Sequence, residues 1–133
     1  MSGTVVVGFV DSPVGRAAVD AAMRECQLRS ARLVVVSSVT GGPGNELYEQ
    51  RDAVARLMEE VVQAGMEMDV REYARGNDPA TDLLEVAEQV NADLIVIGLR
   101  RRSPVGKLLL GSNAQKILLE AGIPVLAVKP TQH

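Results

Sequence analysis

The chain has 133 residues, a length that fits one domain with a real core, and its 47% apolar content excludes a disordered chain. Aromatic residues make up 2%, so Phe9, Tyr48 and Tyr73 are too few and too scattered to stack nucleic-acid bases. A net charge of −3 gives no pull toward nucleic acid or an anionic membrane.

The single Cys26 permits no internal disulfide and no apolar run nears the ~18 residues of a membrane span. The N-terminus also lacks the charged-then-apolar layout of a signal peptide. A cytoplasmic location is the expectation.

Five aliphatic runs alternate with helix-length segments. Thr4 to Val10 is almost continuously apolar, as expected of a parallel strand covered on both faces. Ser12 then offers an N-cap and Pro13 a first helical residue, and Val14, Ala17, Ala18, Ala21, Ala22 and Met23 recur at helical spacing toward Leu28. Arg32 to Val39 is the second strand, followed by a glycine-rich loop at Gly41 to Asn45. The second helix is expected from about Glu46 to Ala64, with Leu47, Val54, Leu57, Met58, Val61 and Val62 as its buried stripe.

Glu67 to Tyr73 is the third strand, and its alternation with charged residues suggests an edge. Asn77, Asp78 and Pro79 open a third helix that carries Leu83, Leu84, Ala87 and Val90. Asp93 to Gly98 is the fourth strand, Ser112 to Ala121 the fourth helix, ended by Gly122, and Pro124 to Lys129 the fifth strand. This order predicts one α/β domain over residues 1–133, a doubly wound, Rossmann-like parallel sheet with right-handed crossovers and helices on both faces.

Open parallel sheets bind ligands at the carboxyl ends of their strands, where strand order reverses. The loop after the fourth strand carries the strongest chemical signal. It leads from Gly98 through Arg100, Arg101, Arg102, Gly106 and Lys107 to Gly111, Ser112 and Asn113, where the fourth helix begins. Free amides at a helix start, a glycine that lets backbone approach closely, and four positive charges with no intervening acid suit a polyphosphate. The same residues also admit a plain reading, in which Ser112 caps the helix, Gly98 and Gly106 form turns, and the arginines face solvent. Neither this loop nor Gly8 has Walker A spacing.

From VVVGFVDSPVGRAAVDAA at the start to ADLIVIG, GSNA and IPVLAVK at the end, the whole chain resembles the universal stress protein family. Gly98, Gly111 and Ser112 match that family's nucleotide motif, Asn113 extends the match, and Arg101 stands where the motif has a second glycine. The family usually has Asp two residues after the glycine of its first strand. Here that position is Val10, with Asp11 one residue later. The resemblance implies a sheet ordered 3-2-1-4-5, with ATP or AMP lying over the ends of the first two strands. Val10, Asp11, Ser38, Gly98, Arg100, Arg101, Gly111, Ser112 and Asn113 would contact the nucleotide, the Gly111-Ser112-Asn113 turn would hold its phosphates, and Mg²⁺ could accompany ATP. It further implies a homodimer through the last strand, residues 124–129.

No catalytic constellation is evident. His133 is the lone histidine and ends the chain, and Cys26 lies among apolar neighbours as a small buried hydrophobe. Asp78 and Asp82 read as compensation of a helix dipole, and Met23, Met58, Met66 and Met68 as core filler. Three other functions remain open. Weak ATP hydrolysis would rest on Asp11, and a structural dimer without ligand would fit Val10 and Arg101. A phospho-receiver would fit Lys129-Pro130 but lacks an Asp ending its third strand at Arg71-Glu72-Tyr73.

Overall fold

The computed structural model describes residues 3–38, 46–73, 78–99 and 110–130, and for Ser38, Glu46, Leu47 and Tyr73 the backbone alone. Its elements run β1 (Thr4–Phe9), α1 (Pro13–Arg29), β2 (Arg32–Ser38), α2 (Glu46–Gln63), β3 (Met68–Tyr73), α3 (Pro79–Gln89), β4 (Leu94–Gly98), α4 (Ser112–Glu120) and β5 (Val125–Val128). The five strands form one sheet in the order β3-β2-β1-β4-β5, and every pairing is parallel. The alternating pattern of Glu67 to Tyr73 pointed to an edge, and β3 is an edge strand.

Strand side chains alternate between two cores. Val5, Val7 and Phe9 of β1 pack with Leu33, Val35, Leu94 and Val96 beneath α1 and α2. Val6 packs with Val34, Val36, Ile95 and Ile97 beneath α3 and α4. Val5, Val6 and Val7 are fully buried, and each contributes about 1.5–3 kcal/mol by leaving water. Burial on both faces is why these strands read as continuous apolar runs.

Two helix starts follow their local chemistry. Ser12 Oγ accepts from Gly15 N at 3.1 Å, with Pro13 at the first helical position. Asp78 Oδ1 accepts from Ala80 N at 3.2 Å, with Pro79 likewise first. Arg16 ties α1 to α2 through two parallel hydrogen bonds to the Glu60 carboxylate, at 2.6 and 2.9 Å.

Several expectations need correction. β1 ends at Phe9, and Val10 has left the sheet and is half exposed. On α2, Val54, Leu57 and Val61 face the core, whereas Met58 and Val62 face solvent, because the helix covers only the β2–β3 side of the sheet. Asp82 lies in the first turn of α3, where a carboxylate complements the helix dipole, but at 1% exposure it is buried and not on a solvated face. Glycine loop 41–45, residues 100–109 and His133 lie outside the described residues.

Candidate functional site

The sheet changes direction of winding between β1 and β4, and a cleft of about 290 Å³ opens at their carboxyl ends. Its floor is Gly8 and Phe9 of β1, Val36 of β2, and Ile97 and Gly98 of β4. Val14 and Gly15 of α1, Pro79, Ala80 and Leu83 of α3, and Asn113 and Ile117 of α4 form its walls, with Val10 at its mouth. Asn113 supplies the one polar side chain in this described lining. Such a surface accepts a flat apolar group and offers a hydrogen-bonding side chain at one end.

Glycines make the close packing around the cleft possible. A β-carbon on Gly15 would collide with the Val10 carbonyl oxygen, so glycine lets the first turn of α1 lie against the end of β1. Gly8 differs, since a β-carbon there would meet Leu83 Cδ2 at an ordinary 3.6 Å.

Three helices begin beside this cleft, and their starts are not equivalent. α1 and α3 each have an amide bonded to their own cap, Ser12 or Asp78. α4 follows Gly111, which carries no side chain to cap it. The amides of its first turn and the positive end of its dipole therefore remain suited to an anion. Ser112, read from sequence as a possible cap, is instead the first helical residue. Lys116, one turn into α4, donates to Thr81 Oγ1 at 2.9 Å and to Asp78 Oδ2 at 3.3 Å, which ties α4 to the start of α3.

Of the residues singled out from sequence, the fold brings Val10, Gly98 and Asn113 together around the cleft. Gly111 and Ser112 stand exposed at the start of α4, next to Asn113. Asp11 is exposed and outside the described lining, with its backbone amide donating to Gln50 Oε1 at 2.9 Å. Ser38 ends β2, with its backbone opposite Tyr73. Arg100 and Arg101 lie outside the described residues.

Gln50 was not a sequence candidate. It is 5% exposed on α2, and its Nε2 donates to Phe9 O at 2.9 Å and to Ser37 Oγ at 2.8 Å. A single glutamine on a helix carries no periodic signal that would have marked it.

The cleft does not fit a protein-held Mg²⁺. No carboxylate lines it among the described residues, and no cluster of three metal-ligating side chains occurs among them. Cys26 is buried on the sheet-facing side of α1, where desolvation pushes its thiol up to about 11, away from reactive thiolate chemistry.

A larger groove of about 540 Å³ runs between α3 and α4, past Glu85, Glu88, Asn91, Glu120 and Gly122. It reaches toward the amino ends of β4 and β5, away from the strand ends where loops converge. Three glutamates on its rim disfavour an anionic ligand, so the smaller cleft is the better nucleotide candidate.

A five-stranded parallel sheet ordered 3-2-1-4-5, with a cleft at the β1–β4 switch point, defines a doubly wound α/β protein of the Rossmann-like class. The family model of the universal stress protein family matches residues 1–129, and the chain belongs to that family. A universal stress protein of Mycolicibacterium smegmatis is 40% identical over 127 residues, covering 95% of this chain and 97% of the relative. A universal stress protein structure from Archaeoglobus fulgidus has a TM-score of 0.80 at 31% identity, covering 97% of this chain and 99% of its own. A second from Archaeoglobus fulgidus, in complex with dAMP, has a TM-score of 0.73 at 26% identity, covering 97% and 98%.

Proposed function

We propose that this protein binds an adenine nucleotide, AMP or ATP, in the β1–β4 cleft and acts in the cytoplasm as a regulatory stress-response protein. The observation that carries this reading is one apolar cleft leading to the uncapped start of α4. The base fits against Val10, Val36, Leu83 and Ile117, and the phosphates take the amides after Gly111 with Ser112 and Asn113. Arg100 and Arg101 add positive charge in the sequence between β4 and α4. The dAMP complex of the Archaeoglobus fulgidus relative supports an adenine ligand.

Binding without efficient turnover is part of this reading. Hydrolysis needs a positioned water and charge compensation at the phosphates, and Asp11 stands outside the described cleft. The nucleotide then acts by favouring one arrangement of the loops around it.

Calorimetric titration with AMP and ATP tests the reading. Heat of binding at or below millimolar nucleotide is expected, and Asn113→Ala should weaken it about 10-fold or more through loss of a bond to a charged group. No binding at millimolar concentration would refute it.

The protein is also proposed to be a homodimer through residues 124–129. β5 pairs with β4 on one side, and all four of its residues are only half buried. An apolar strand edge of this kind favours pairing with a second copy. Sedimentation should give a dimer at micromolar concentration, and a monomer there would refute the pairing.

A further inference from the structure

We infer that Gln50 is a positioning residue for the proposed nucleotide site, holding the end of β1 so that Val10 faces the ligand and Asp11 does not. The inference rests on the nucleotide reading above and deepens it.

The sheet ladder between β1 and β2 ends at the pair Phe9–Ser37. Beyond it, the backbone groups on either side of Val10 need new partners, because buried polar groups without them are costly. Gln50 supplies both from one side chain: Nε2 donates to Phe9 O at 2.9 Å, and Oε1 accepts from Asp11 N at 2.9 Å. The second Nε2 hydrogen goes to Ser37 Oγ at 2.8 Å, which anchors the amide to β2. Both donors and the acceptor oxygen of this one amide are therefore engaged.

The consequence is directional. With the groups before and after it tied to α2, Val10 is set at the mouth of the cleft, while Asp11 falls outside the described lining. On the opposite side of Val10, its carbonyl is backed by Gly15.

The sequence of α2 gives the internal control. Val54, one turn further along, is buried in the same helix and touches the core without engaging the turn. Gln50→Met removes the hydrogen bonds at similar side-chain length, and Val54→Ala removes packing alone.

AMP affinity is measured by calorimetry for the parent, Gln50→Met and Val54→Ala, each with its thermal midpoint. Amide exchange at Asp11 is followed without ligand. Gln50→Met is expected to weaken AMP binding at least 10-fold and to speed Asp11 exchange by a similar factor. Val54→Ala should stay within about 2-fold on both, even where its midpoint falls as far. If the parent binds AMP and Gln50→Met binds equally well, the inference falls and the nucleotide reading stands. It also falls if affinity follows thermal midpoint across both variants. If the parent binds no AMP, both fall together.

Discussion

Val14, in the first turn of α1, lies directly on Gly98 at the end of β4: a β-carbon on Gly98 would stand 2.6 Å from both its Cγ1 and its carbonyl oxygen. Backbone cannot yield as a flexible side chain can. Gly98→Ala is therefore expected to lower stability by about 1–3 kcal/mol. Urea unfolding should show a lower midpoint at unchanged slope. A parental midpoint would mean that α1 shifts without cost.

Gly8 should respond in the opposite sense. Its φ is not positive, and an added methyl would sit 3.6 Å from Leu83 Cδ2, an ordinary contact. Gly8→Ala should leave stability unchanged or raise it by about 0.4–1 kcal/mol by restricting the unfolded chain. The methyl nonetheless enters the cleft, so AMP affinity should fall several-fold. Parental affinity in a folded Gly8→Ala protein would place the ligand elsewhere.

Much of the fold was legible in the sequence because its signals are local. Ser12-Pro13 and Asp78-Pro79 cap helices through bonds spanning two or three residues, and Val5 to Val7 announce a strand buried on both faces. The stripe on α2 was drawn too wide, since periodicity marks an apolar face and cannot say how much of it the sheet covers. That is why Met58 and Val62 end in solvent. The site was legible in part. Val10, Gly98 and Asn113 meet at the cleft, while Gln50 depends on a contact across 39 to 41 residues of chain.

Acid should destabilise the fold through two surface carboxylates. The Thr81 hydroxyl, and then Lys116, hold the Asp78 carboxyl below the usual range, and Arg16 does the same for Glu60. A lowered value in the folded state adds stability above the unfolded value, about 4, that is lost as pH falls through the lowered one. Thermal midpoints should drop below about pH 4, and Asp78→Asn should flatten that drop. Equal acid slopes in parent and variant would contradict this.

Alkali should act through Cys26. Burial raises its thiol to about 11, whereas the unfolded chain loses that proton near 8.5. Its stabilising effect is complete below about 8.5 and declines by up to roughly 1.4 kcal/mol per pH unit until the folded thiol titrates. Cys26→Ala should lose less stability than the parent between about pH 8.5 and 11. Rapid alkylation of the folded parent at neutral pH would show that the thiol is not so held.

Backbone chemical-shift mapping during an AMP titration locates the ligand directly. The largest changes should fall on Gly8, Val10, Gly98, Ser112, Asn113 and Ile117, around the β1–β4 cleft and the start of α4. Changes centred instead on Glu88, Asn91, Glu120 and Gly122 in the α3–α4 groove, or none at millimolar AMP, would contradict a nucleotide held by that cleft.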